Sequence, residues 1–114
     1  MAYRQKTPDP HSRMGFRIRH KKVREACTRL LKKNGNQRMT SQQLISNITK
    51  VDGKTPFSPR QIGVKPAGLT VSLRKDMRFE TDGELMITYL TGHKSPVICW
   101  KLSEYGLNYV SNKY

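Results

Sequence analysis

Residues 84–102, ELMITYLTGHKSPVICWKL, decide the fold class of this chain. Two runs rich in β-branched and aromatic residues, Glu84–Leu90 and Val97–Leu102, flank a loop at Thr91–Pro96 that contains glycine and proline. This pattern is typical of an antiparallel β-hairpin with a moderately long tip. Upstream of the hairpin, the apolar residues recur at the period of a helix rather than of a strand. The sequence therefore predicts a small α+β domain in which helices precede the hairpin.

The strongest helical signal extends from about His20 to Lys33. Its apolar residues fall on one stripe at helical spacing, and Asn34-Gly35 supplies the left-handed conformation that ends many helices. The stripe consists of Val23, Ala26, Cys27, Leu30 and Leu31, and the opposite face, expected to be exposed to solvent, carries Lys21, Arg24, Arg29 and Lys32.

Two short helical segments follow, each with a capping signal. Thr40-Ser41-Gln42-Gln43 is a capping-box pattern, and the helix that it opens is predicted to end near Ile48 or Thr49. Ser58-Pro59 combines a serine N-cap with a proline in the first turn, which predicts a single turn from Pro59 to Gly63.

A longer helix is predicted from about Lys65 to Asp76. Pro66 lies in its first turn, where the missing backbone N–H does no damage. Leu69 and Leu73 are one helical turn apart, so we expect them to face the core together.

The end of the chain carries a last helix signal. Ser103-Glu104 is expected to open a short helix through Val110, with Leu107 and Val110 facing inward. Trp100 and Tyr89 are expected to lie in the core of the hairpin rather than to stack on bases.

Positive charge dominates the chain. The sequence holds 22 lysines and arginines against 8 acidic residues, a formal net charge of +14. Solubility requires no such excess, because a mixture of both signs serves it equally well. A chain with this balance is expected to bind a polyanion, and the sequence therefore predicts nucleic-acid binding.

Residues 1–19 are predicted to form a flexible basic arm, and residues 20–114 the folded domain. Asp9 is the only acidic residue of the arm, Pro8 and Pro10 interrupt any helix there, and adjacent apolar groups are few. Arms of this composition commonly lie along phosphates, whereas the alternative is an unstructured terminus with no role.

The sequence predicts an intracellular protein, cytoplasmic, nucleoid-associated or nuclear. No apolar run has the length of a membrane span or of a secretory leader. Cys27 and Cys99 are too few for a disulfide scaffold, and each lies on an apolar face, so both are expected to be buried reduced thiols.

No enzyme, cofactor or metal site is predicted. Glu80, Asp82 and Glu84 would share one face of an extended segment and could begin a magnesium site, but a polar turn at Asp82-Gly83 is the favoured reading. The three histidines match no zinc spacing with the two cysteines.

The order of three helices followed by a two-stranded hairpin resembles a winged helix-turn-helix domain. Residues 40–45, TSQQLI, are similar to the second helix of that superfamily, in which a polar N-cap precedes a small apolar cluster. Residues 100–106, WKLSEYG, are similar to the exit from its hairpin, the wing, where a strand ends before a closing helix. The resemblance covers about residues 20–110 and departs from the superfamily pattern at Gly63–Gly68, within the expected recognition helix.

In winged-helix proteins the third helix commonly enters the major groove of DNA, and the wing contacts the backbone or the minor groove. The resemblance therefore implies contacts from this helix, from the wing tip and from the basic residues around the first helix. The candidate nucleic-acid-binding residues are Arg17, Arg19, Lys21, Lys22, Arg60, Gln61, Lys65, Thr70, Arg74, Lys75, Arg78, His93 and Lys94. Alternatively, Arg74, Lys75 and Arg78 form a solvated helix end favoured by the helix dipole.

The leading hypothesis is a winged-helix DNA-binding protein, a transcriptional regulator or accessory factor that favours duplex DNA over structured RNA. One alternative is a structural RNA-binding protein of ribosomal type. Another is a protein-interaction module within a replication or transcription complex, although the positive charge counts against it. The sequence does not separate DNA from RNA, because both present phosphates, and it indicates no oligomeric state.

Overall fold

The computed structural model describes residues 8–114, which form five helical segments and three strands. The helices are α1 Lys21–Lys33, α2 Ser41–Asn47, α3 Pro59–Ile62, α4 Pro66–Lys75 and α5 Glu104–Asn108, and the strands are β1 Met39–Thr40, β2 Phe79–Thr88 and β3 Lys94–Leu102. The strands form one antiparallel sheet in the order β1-β3-β2. The predicted α+β class is therefore confirmed.

Local capping interactions begin α2 and α3 as the sequence predicts. The Thr40 hydroxyl accepts a hydrogen bond from the Gln43 backbone N–H, and the Gln43 side chain accepts one from the Thr40 N–H. Ser58 and Gln61 make the same reciprocal pair at the start of α3, with Pro59 in its first turn. These bonds satisfy backbone donors that a helix start leaves free, so four-residue signals suffice to position the start of both helices.

The hairpin is longer than the sequence indicates. β2 begins at Phe79 rather than at Glu84, and β3 begins at Lys94 rather than at Val97. The predicted turn at Asp82-Gly83 is wrong, because β2 continues through these residues and shifts its register between Thr81 and Glu84 in a β-bulge. Gly83 has a φ of 71°, a conformation that a bulge often requires and that glycine adopts without strain.

The core lies between the inner face of the sheet and helices α1, α2 and α4. Phe79, Trp100 and Leu102 face it from the strands. Leu69 and Leu73 of α4 are completely buried in it, as predicted. The remaining core residues come from α1, from α2 and from the connection between α2 and α3. They are Val23, Ala26, Cys27 and Leu31 of α1, Leu44 of α2, and Ile48 and Phe57 of the connection.

The sequence predicted that Leu107 and Val110 face the core, and this prediction is wrong. Leu107 and Val110 are 44% and 74% exposed, and Gly106 is the residue of α5 that is buried. The helix is too short to bury an apolar stripe, and it approaches the sheet through its backbone instead. Tyr89 is likewise half exposed at the hairpin tip, whereas Trp100 is buried as expected.

The described part of the predicted arm packs against the domain. Residues 1–7 lie outside the described residues; residues 8–19 are called the N-terminal segment here. Its Ile18 is 5% exposed. The Met77 N–H donates to the His11 carbonyl at 2.7 Å, and the Arg13 N–H donates to the Lys75 carbonyl at 2.9 Å. These bonds attach residues 8–19 to the end of α4 and to the connection between α4 and β2, so the segment packs on the domain where the sequence predicted a separate arm.

Candidate nucleic-acid interface

Residues 10–24 and residues 53–75 contain no acidic residue, and the same is true of residues 26–51 and 85–103. The first two stretches are the ones that meet in the fold. Together they carry Arg13, Arg17, Arg19, Lys21, Lys22, Arg24, Lys54, Arg60, Lys65, Arg74 and Lys75. The first stretch includes most of the N-terminal segment and the start of α1, and the second includes α3 and α4. Where such stretches meet, the local field is positive because carboxylates are missing as well as because cations are present.

The fold brings these two stretches together. A groove of about 460 Å³ lies between the N-terminal segment and α4. The segment lines it with residues Arg17–His20, and α4 lines it with Gly68, Val71, Ser72 and Lys75. We call this the cationic groove. Because Ile18 is buried between Arg17 and Arg19, the two guanidinium-bearing residues are held at the groove rather than carried on a free arm.

The buried residues of α4 define which of its faces is free. Leu69, Ser72 and Leu73 are buried, whereas Arg74 and Lys75 at the last turn are exposed. Lys65, at the N-cap, is exposed as well. The predicted exposure of these three cations is therefore confirmed.

Thr70 has a structural partner within the domain. Its hydroxyl lies 2.6 Å from the hydroxyl of Ser41, the first residue of α2. This hydrogen bond joins α4 to α2, and the side chain is partly buried. Among the candidate contacts on α4, Thr70 is thus the one whose hydroxyl is already hydrogen-bonded within the protein.

Arg60 and Gln61 lie on α3, and both are exposed. The Gln61 side-chain oxygen accepts the Ser58 N–H at 2.9 Å, which leaves its amide N–H groups as donors. Gln61 and Lys22 line a second cavity together with Lys50, Phe57 and Tyr114. The Lys22 ammonium lies 5.6 Å from the centre of the Tyr114 ring. Residues from α1 and α3 therefore share one cationic and aromatic surface.

His93 and Lys94 lie at the tip of the hairpin, where both are exposed. The ring of Tyr89 stacks on that of His93, with centroids 6.0 Å apart and an angle of 20° between the planes. The predicted position of these two residues at the tip is confirmed.

Arg78 was predicted to be exposed and to contact nucleic acid, but it is buried in an ion network. Its guanidinium donates to Glu25 at 2.7 Å and to Asp76 at 2.7 Å. Arg24, expected on the exposed face of α1, is equally buried and donates to Asp76 and to Asp9 at 2.8 Å each. We call these five residues the buried ion network. Neither arginine is available to a phosphate, since each would have to leave its carboxylates unpaired.

Hydrogen bonds hold two carboxylates of the network, those of Asp9 and Glu25, in their charged form. Burial alone would raise the pKa of Asp9, but the bonds from Arg24 and from the His11 N–H outweigh it and lower that pKa below its usual value. Burial opposes the charge of Glu25 in the same way, yet bonds from Tyr109, Ser111 and Arg78 lower its pKa.

The network does not account for the positive charge of the protein. It pairs three carboxylates with two guanidinium groups, so its own net charge is −1. Three of the five remaining acidic residues, Glu80, Asp82 and Glu84, lie together on β2. The rest of the surface therefore has few carboxylates to balance its lysines and arginines.

Both cysteines are buried and free, as predicted. Burial raises the pKa of the Cys27 thiol to about 12 and also raises that of Cys99. Neither thiol is therefore ionised at neutral pH, and neither is part of the interface.

Comparison with known proteins adds no relative to these observations. No protein-family model, no curated protein and no solved structure matches the chain. None of the helices in residues 8–114 combines the length and the apolar character that crossing a bilayer requires. In the same part of the chain, no three histidine, cysteine or acidic side chains are grouped so as to hold a metal ion.

Proposed function

We propose that this protein is a DNA-binding protein with a variant winged-helix domain, acting as a transcriptional regulator or accessory factor. The observation that carries the proposal is the cationic groove, in which two acid-free stretches of the chain lie side by side. A polyanion is the partner that this charge distribution favours.

The order of the elements supports the winged-helix assignment. Helix α4 comes after α2 and the single-turn helix α3, hydrogen-bonds to α2 through Thr70 and Ser41, and leads into the β2–β3 hairpin. The departure at Gly63–Gly68 is absorbed before and within the first turn of α4. Gly63 ends α3 with a φ of 56°, and a Cβ on Gly68 would approach Val64 to 2.9 Å. In this proposal α4 is the recognition helix, and the hairpin is the wing.

Phosphate contacts are assigned to the cationic groove. Arg17, Arg19 and Lys75 surround it, and arginine and lysine are the usual partners of phosphate oxygens. Arg74 is exposed on the same last turn of α4 and is the candidate for reading a base edge, because arginine can donate two hydrogen bonds to guanine.

Duplex DNA is preferred over duplex RNA on grounds of shape. The major groove of B-DNA is about 12 Å wide and admits an α-helix, whereas that of A-form RNA is deep and narrow. A helix that presents exposed cations next to a cationic groove therefore matches B-DNA better. Structured RNA is the competing ligand in the test.

The decisive experiment removes two cations from the groove and measures the salt dependence of DNA binding. We expect Arg17→Ala combined with Arg19→Ala to weaken binding and to reduce the slope of log K against log salt by about two. The matched control is Lys33→Ala combined with Lys113→Ala, which removes the same charge from exposed positions outside the groove. It should leave the slope nearly unchanged.

Arg74→Ala then separates base reading from phosphate contact. A loss of affinity for one preferred site that exceeds the loss for unrelated duplexes would support sequence-specific regulation. A wild-type protein whose binding is independent of salt would contradict nucleic-acid binding altogether. Tighter binding of structured RNA than of duplex DNA at the same salt would contradict the choice of DNA.

A further inference from the structure

The outer half of the hairpin extends beyond the core. Past the bulge, five ladder pairs run from Glu84–Ile98 to Thr88–Lys94. β1 pairs with β3 only at Trp100 and Cys99, so in the described chain no third strand accompanies this outer half. At about 3.3 Å per residue the five pairs span on the order of 15 Å. The tip therefore stands away from the helices.

The tip presents an apolar side chain on an ordered turn. Leu90 is fully exposed, and no other large apolar side chain of the described residues is as exposed. The Tyr89 N–H donates to the His93 carbonyl at 2.8 Å, and the Gly92 N–H donates to the Tyr89 carbonyl at 2.9 Å. Together with the stacked Tyr89 and His93 rings, these bonds fix the turn from which Leu90 extends.

The charges around Leu90 have one sign. Lys94 opens β3 directly beside the turn and supplies a positive charge there. The last acidic residue of β2 is Glu84, beside the bulge. It lies four ladder positions away from Thr88, the residue that ends β2 at the tip. An exposed leucine beside a lysine complements a nucleic-acid duplex, because a duplex carries phosphates on its outside and apolar stacked bases on its inside.

We propose that Leu90 is a wedge that inserts between stacked base pairs of duplex DNA from the minor groove and kinks the duplex. The proposal rests on the DNA-binding function above and adds a specific consequence to it. An apolar side chain between two base pairs replaces part of their stacking, and the DNA bends away from the wedge toward the major groove. Lys94 is placed to hold a phosphate beside the opened step.

The wedge is tested by measuring DNA bending separately from binding. The probe is a duplex of about 30 base pairs that carries a donor and an acceptor dye at its ends. Saturation with the wild-type protein should shorten the distance between the dyes, as a kink of roughly 20–90° requires. Leu90→Ser should remove most of this shortening and leave the slope of log K against log salt unchanged, because no cation is lost.

Leu107→Ser is the matched control. It makes the same substitution at another exposed leucine, on α5 rather than on the hairpin, and should bend DNA as the wild type does. A second readout uses duplexes with 2-aminopurine at successive positions. The wild-type protein should raise the fluorescence at one step by unstacking it, and Leu90→Ser should not.

The outcomes distinguish the wedge from the function on which it rests. If the wild-type protein binds DNA with a steep salt dependence but leaves the dye distance unchanged, the wedge is wrong and the DNA-binding proposal survives. If Leu90→Ser bends DNA as strongly as the wild type, the wedge is wrong as well. A wild-type protein that binds no duplex at low salt overturns both proposals, and so identifies the failure of the function itself.

Discussion

At Gly106 the structure has no room for a side chain. This residue of α5 lies against the backbone of Arg78, and a methyl group added to it would meet the Arg78 carbonyl oxygen and lie 2.9 Å from the carbonyl carbon. The Arg78 carbonyl oxygen also accepts a hydrogen bond from the Ser103 N–H, so it cannot move away from Gly106 without losing this bond. The glycine is thus needed for a close approach of two backbones rather than for an unusual dihedral angle.

We therefore expect Gly106→Ala to destabilise the protein by about 1–3 kcal/mol, as overpacking of a rigid site does. The sign is informative, because alanine in a helix otherwise gains roughly 1 kcal/mol over glycine. Urea unfolding measures the free energy, with Asn108→Ala in the exposed part of α5 as the control. A Gly106→Ala protein as stable as the wild type would show that α5 does not pack on Arg78.

Among the elements, the N-terminal segment has a structural role and, in the proposed function, a binding role as well. Asp9 joins it to the buried guanidinium of Arg24, and Ile18 joins it to the core. The same segment carries Arg17 and Arg19 to the cationic groove. Its composition alone suggests a chain with little to bury, yet the ion pair of Asp9, the buried Ile18 and the backbone hydrogen bonds of His11 and Arg13 attach it to the domain.

Asp9→Asn tests this attachment, since it keeps the shape of the side chain but removes its charge. Arg24 would retain Asp76 as a partner, so we expect a loss of about 2 kcal/mol, the value of a hydrogen bond to a charged group. Glu84→Gln makes the same chemical change at an exposed position and should alter the unfolding free energy by less than about 0.5 kcal/mol. Equal stabilities of the two variants would argue that the segment is not held by its ion pair.

On the scale of the whole molecule, the charges are divided into a buried and an exposed set. The buried ion network connects parts of the chain that are far apart in sequence, and Tyr109 and Ser111 attach the C-terminal residues to it through Glu25. His11 lies against this network, with its ring nitrogen 2.9 Å from the Tyr105 hydroxyl. The exposed cations are left for a ligand.

The lowered pKa values of two histidines and two buried carboxylates predict that the stability of the protein falls in two steps as the pH decreases. Burial and the nearby Arg78 lower the pKa of His11, and burial and Arg19 lower that of His20. Below about pH 6.5 the unfolded chain therefore binds protons on these residues before the folded protein does, and unfolding becomes more favourable. Asp9 and Glu25, whose pKa values are also lowered, repeat the effect below about pH 4.

Thermal unfolding at constant ionic strength and several pH values between about 7 and 3 measures both steps. His11→Asn should reduce the first step, because asparagine does not titrate, and should leave the second in place. A melting temperature that rises between pH 7 and 5 would contradict the sign derived from these pKa shifts.

The sequence by itself determined the local structure. The capping boxes at Thr40 and Ser58, the buried stripe of α1 and the leucines of α4 were all predictable, because each depends on residues within about one or two helical turns. The exposure of Lys65, Arg74 and Lys75 follows from the same periodicity. The lack of acidic residues in 10–24 and 53–75 is visible in the sequence as well, but residues 26–51 share it without lining the cationic groove, so the tertiary structure had to show which stretches meet.

Only the tertiary structure decided which charges are free. Arg24 and Arg78 look like surface cations in the sequence, but both are buried. Arg24 pairs with carboxylates 15 and 52 residues away, and Arg78 pairs with one that is 53 residues away as well as with the nearby Asp76. The attachment of residues 8–19 and the contact of Gly106 with Arg78 have the same origin. A helical period shows which face is polar, whereas the partner of a polar face depends on distant chain segments. That partner exists only once the chain has folded.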